Sequence, residues 1–156
     1  MPHLEYGIEA YGSAKSLGRL AKLQKWGMRT AMNSKYNAHT TPMFKHNNIL
    51  KLEDLYKLKC RTLLRAKIEG ITPKTINDMF QYYEVKNRKP HYIEQQFPLN
   101  KFIDSLPSFC IPRIWNESRP DKLELTTRIF KKNEKIRMLG MYRDTCNVKS
   151  CYTCST

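Results

Sequence analysis

Between residues 17 and 31 the apolar positions recur at helical spacing. Placed at steps of about 100°, Leu17, Leu20, Ala21, Gly27, Met28 and Ala31 fall within an arc of roughly 120°, with Gln24 among them. Lys15, Arg19, Lys22, Lys25 and Arg29 occupy the opposite arc, and Trp26 projects from that basic side. The pattern predicts a helix with one face for a core and one for an anion. Gly18 and Gly27 each cost such a helix up to ~1 kcal/mol relative to alanine, so tertiary packing must hold it. Gly27 lies on the apolar face, where a neighbour is expected to approach closely.

Further along, Thr41-Pro42 reads as a helix start, an N-cap residue followed by proline at the first helical position. It opens a short segment, PMFKHNN. A longer helix is predicted from about Lys51 to Glu69, with Leu52, Leu55, Tyr56, Leu63 and Ala66 on one stripe. Lys57, Arg61 and Arg65 repeat at intervals of four on its other side, where like charges repel unless an anion relieves them. Glu53 and Asp54 sit in its first turn and suit the helix dipole. Thr72-Pro73 repeats the start signal for a helix over 73–82.

From Tyr83 to Pro120 no period holds, and Pro90, Pro98, Pro107, Pro112 and Pro120 punctuate the chain. LNKFIDSL reads equally as helical turns or as strand. A last helix is predicted over 121–143, with Leu123, Ile129, Phe130, Ile136 and Leu139 as core contacts. The expected fold class is mainly α: a small helical bundle with an irregular middle and a C-terminal helix. No internal repeat or low-complexity tract is present.

Charge sharpens this picture. The chain has 156 residues and a net charge of +14, with a pI near 9.7. From Ala10 to Leu52 there are eight Lys or Arg and no Asp or Glu. A solubility face normally mixes signs, so this window points to a polyanion, nucleic acid before an anionic membrane surface. No apolar run approaches the roughly 18 residues of a membrane span, and MPHLEYGIEAYG is not of signal-peptide type. Five cysteines, an odd number with three near the C-terminus, do not suggest a secreted disulfide framework. The expected compartment is reducing, nucleus or cytoplasm.

Catalytic chemistry is sparse. Magnesium-dependent phosphoryl transfer needs converging carboxylates, whereas Asp54, Asp78, Asp104, Asp121 and Asp144 are scattered. There is no glycine-rich phosphate loop and no G-x-S-x-G turn. His3, His39, His46 and His91 have no metal or triad spacing. Cys146, Cys151 and Cys154 supply three soft ligands, the last two in a C-x2-C arrangement suited to zinc. A fourth ligand would have to come from elsewhere, and idle thiols are the competing reading. Cys60 and Cys110 read as small core residues.

The order of several short motifs resembles a known family. Tyr6, Gly7, Glu9, Tyr11 and Gly12 are similar to a Y-G-x-E-x-W/Y-G run. Leu23, Gln24, Lys25 and Arg29 are similar to an L-Q-K-x-x-x-R helix. His39, Thr40 and Pro42, then Ile49, Leu50, Leu52, Asp54, Leu55 and Tyr56, continue the likeness. Pro112, Trp115 and Asn116, then Phe130-Lys131-Lys132, extend it toward the C-terminus. The chain resembles the segment after the palm in reverse transcriptases of LINE-type (non-LTR, jockey-like) retrotransposons.

The resemblance implies a palm-exit segment over 1–12, a thumb-like helical domain over 13–82, a connecting region over 83–120, a C-terminal helix over 121–143 and a cysteine tail over 144–156. The family's aromatic-x-Asp-Asp turn is absent, so magnesium would belong to a palm this chain lacks, and no polymerase activity is expected of it alone. A thumb rests on the template–primer duplex, which implies RNA, DNA or an RNA–DNA hybrid as partner, together with the remainder of the polymerase. Backbone contact needs cations on a rigid helix. Lys15 to Arg29 span about 21 Å, enough for several phosphates. The expected contacts are Lys15, Arg19, Lys22, Lys25 and Arg29, then Lys57, Arg61 and Arg65, while Trp26 reads equally as stacking on a base or sugar or as packing on an adjacent helix. Two other readings stand beside this one: a retroelement remnant without function, and a small zinc-dependent RNA- or protein-binding module.

Overall fold

The computed structural model describes residues 5–14, 17–80, 93, 98, 100–118 and 126–143. The fold is mainly helical, as the periodicity predicts. In chain order the helices are α1 (Ile8–Tyr11), α2 (Leu17–Ala31), α3 (Thr40–His46), α4 (Leu52–Ile68), α5 (Lys74–Met79), α6 (Lys101–Asp104), α7 (Pro107–Ser118) and α8 (Thr127–Gly140).

Helix α4 is the axis of the molecule, packed by α8, α7, α2 and α1. Its 17 residues give it a length of about 25 Å. Leu52, Tyr56, Cys60 and Leu64 form a ridge at intervals of four, buried with Ile8, Ile111, Trp115 and Phe130. Leu58 faces a second cluster with Met28, Phe44, Leu50, Met138 and Tyr142. A helix covered on this many sides has little room for an outward charged stripe. One apolar core therefore joins residues from before and after position 82.

The last helix corrects the expected core. Phe130 and Leu139 are buried as predicted, but Ile129 is 46% exposed and Ile136 57%. Met138 and Tyr142 are buried instead. The inward stripe is Phe130, Glu134, Met138 and Tyr142, and it contains a carboxylate; a count of apolar residues alone selects the wrong side. Leu123 lies outside the described residues.

Residues 101–118 depart from the irregular middle that the prolines suggested. Pro107 starts α7, and Pro112 lies inside it. An interior proline costs a helix about 3 kcal/mol. Burial of Ile111, Ile114, Trp115 and Pro112 itself offsets that cost. Helix α3 starts at Thr40, two residues earlier than expected, which makes Pro42 the third helical residue rather than the first, where its missing N–H still has no helical partner to lose. Helix α5 ends at Met79, and Phe80 turns extended and is buried.

Gly12, not Gly27, is the glycine of close approach. A Cβ at Gly12 would meet Tyr56 Cγ at 2.5 Å and the Ile8 carbonyl oxygen at 2.6 Å, whereas one at Gly27 would meet nothing within 4 Å. Gly7, at φ 64°, supplies the left-handed residue before α1.

Candidate nucleic-acid interface

Helix α2 is held by its inner face. Met28 is 3% exposed and Gln24 4%, while Leu17, Leu20 and Ala21 pack on the main core. The Gln24 carboxamide donates from Nε2 to the Leu50 carbonyl at 3.0 Å and accepts at Oε1 from the Leu52 N–H at 2.9 Å. That N–H opens α4 and has no partner within its own helix. Gln24 thus caps α4 from a neighbouring helix and fixes α2 against it.

With that face committed, the opposite one is presented outward. Arg19, Lys22 and Lys25 are all exposed. Trp26 is 59% exposed and the adjacent Leu23 60%. Among the described residues no carboxylate lies within 4.0 Å of these three cations. Lys15 lies outside the described residues. Arg29 is partly buried and its Nε donates to the Ala38 carbonyl at 2.8 Å. It therefore ties α2 to the turn before α3 as well as adding charge to its end.

The second expected ladder does not form. Lys57 is exposed, but Arg61 is 8% exposed and Arg65 6%. Residues four apart advance about 40° beyond a full turn, so successive cations wind from solvent to the side of α4 covered by α8. The anion that relieves their repulsion is internal. Arg61 Nη1 donates to Glu134 Oε1 at 2.5 Å, and that carboxylate also receives Arg137 Nε at 2.8 Å and Nη2 at 2.7 Å. Arg65 lies near enough to Glu69 for its charge to help lower that carboxyl's pKa, after the larger effect of hydrogen bonds from Thr127. Arg61 and Arg65 are packing residues.

Exposed charge appears where spacing did not single it out. Arg128, Lys131 and Lys132 on α8 are exposed and Lys135 is half-exposed. Lys131 and Lys132 entered only as part of a resemblance. Knowing that Glu134 faces inward would have placed Lys132, about 160° away, outward, but not Lys131, about 60° away.

Trp115 is 2% exposed. Asn116 pairs its carboxamide with both backbone groups of Ile93, at 3.2 and 2.8 Å. Cys60 and Cys110 are buried free thiols, as predicted. Cys146, Cys151 and Cys154 lie outside the described residues. Among the described residues no three His, Cys, Asp or Glu side chains gather as a metal site, and no helix is long and apolar enough to cross a membrane. No family model, curated protein or solved structure matches the chain.

Proposed function

We propose that this chain binds nucleic-acid duplex through its phosphate backbone, as the thumb-like segment of a LINE-type reverse transcriptase whose catalytic palm lies elsewhere. The observation that carries the reading is the outward grouping of Arg19, Lys22 and Lys25 on a helix whose other face is locked into the core. Cations held on a rigid element with no internal carboxylate partner are suited to phosphates and carry no base preference. Arg19 to Lys25 rise about 9 Å along the helix, against about 3.4 Å per phosphate along one strand. Trp26, beside them, offers an aromatic face to a base or sugar.

Equilibrium binding to an RNA–DNA hybrid across a salt series tests this. Three neutralised phosphates give a log–log slope of about −2.7, where Arg29 as a fourth would give about −3.6. A slope near zero, or no binding at low salt, overturns the proposal.

A further inference from the structure

A cavity of about 250 Å³ opens between α2, α4 and α8. Its apolar lining comes from Ile49, Leu50, Leu55 and Leu58. Lys59 from α4 and Lys131 and Lys135 from α8 add three cations, and Glu5 is the single acid among them. Glu5 reaches Lys59 only at 3.9 Å, a loose pair that leaves the cavity net positive. Asn48 contributes a carboxamide, able to donate and accept. Gln24 also lines the cavity, but its amide is engaged by Leu50 and Leu52.

An apolar wall with cations beside it fits a ligand with a flat, weakly polar body and an attached phosphate. The volume lies below the roughly 300–1,000 Å³ of pockets for drug-sized molecules, which limits the body to about one base. We propose that this cavity takes a single unpaired nucleotide at the end of a bound strand. The base lies against Ile49 and Leu55, its edge meets Asn48, and its phosphate sits among Lys59, Lys131 and Lys135. This rests on the nucleic-acid reading above but uses none of the cations that carry it. Helix α2 holds duplex backbone; the cavity senses how the duplex ends.

The test is binding of a blunt RNA–DNA hybrid against the same hybrid bearing one unpaired terminal nucleotide. Wild-type protein should prefer the unpaired end by about fivefold, the gain from burying about 40 Å² of apolar surface. The double variant Lys131→Gln/Lys135→Gln should lose that preference and keep most of its blunt-hybrid affinity. Both lysines have solvent access, so folding is preserved, as circular dichroism will verify. Glu5→Gln should enlarge the preference by removing the competing carboxylate. The triple variant Arg19→Gln/Lys22→Gln/Lys25→Gln should weaken both hybrids equally. Equal wild-type affinity for the two ends, or a preference that survives loss of Lys131 and Lys135, overturns the cavity assignment. An unchanged blunt-hybrid affinity in the triple variant overturns the backbone reading instead.

Discussion

Arg61 on α4 and Glu134 on α8 meet at 2.5 Å, with their side chains 9% and 11% exposed. This pair stands where two packed helices would otherwise press like charges together, because Arg137 shares the same carboxylate. It links the most heavily packed helix pair of the fold and takes Arg61 out of any external role.

Glu134→Ala should therefore destabilise the protein by about 3 kcal/mol, since it strands a buried guanidinium. Burial pushes the Glu134 carboxyl up, but the hydrogen bonds and charges of Arg137 and Arg61 outweigh it and hold the pKa below the ordinary value of 4.5. The folded state thus releases this proton more readily than the unfolded chain. The stabilisation is fully present above the ordinary value and is lost as pH falls through the lower folded one. Urea denaturation from pH 7 down to pH 3 should show this loss in the wild type and a flatter profile in the variant.

Gln24→Leu should cost about 2 kcal/mol by leaving the Leu50 carbonyl and the Leu52 N–H without partners. Arg19→Gln, Lys22→Gln and Lys25→Gln should each change stability by no more than about 0.5 kcal/mol, as surface substitutions do. Thermal melts of the four variants separate the helix's anchoring face from its presenting face.

Each of those three surface substitutions should reduce the magnitude of the salt slope for hybrid binding by about 0.9. Arg61→Gln should lower the melting temperature and leave the slope of the folded protein unchanged. A reversed pattern would mean that α4, not α2, meets phosphate.

Gly12→Ala should cost about 1–3 kcal/mol, the range for overpacking a filled site, because the Tyr56 ring and the Ile8 carbonyl occupy the space a methyl needs. Gly27→Ala, with open space around it, should instead gain up to about 1 kcal/mol from helix propensity. Denaturation midpoints of the two variants should move in opposite directions.

Burial pushes the Cys60 thiol up to about 12 from its ordinary 9.0. The folded protein keeps this proton over a range in which the unfolded chain gives it up. Stability contributed by the neutral thiol is complete below 9 and declines as pH rises toward 12. Iodoacetamide at pH 8 should leave Cys60 unmodified in the native protein and alkylate it in urea.

The sequence by itself determined the helical class, the course of α2 and α4, and the outward facing of Arg19, Lys22 and Lys25. Each follows from residues close in the chain, through a period of 3.6 and an apolar arc wide enough to be read against a charged one. Helix α7 was not legible, because five prolines between residues 83 and 120 argue locally against a helix that Trp115 and Ile111 hold by burial. Ile129 and Ile136 were assigned inward because they are apolar, while the inward position belonged to Glu134.

Tertiary structure alone decided the fate of Arg61 and Arg65, the capping of α4 by Gln24, and the capping of α8, whose Thr127 N–H is received by Glu69 Oε2 at 2.7 Å. For Arg61 and for the two caps the partner lies 28 or more residues away. A charge or an amide is indifferent to its own helix face until another element arrives to bury it or leave it in water. That arrival is a property of the assembled core, and local spacing does not encode it.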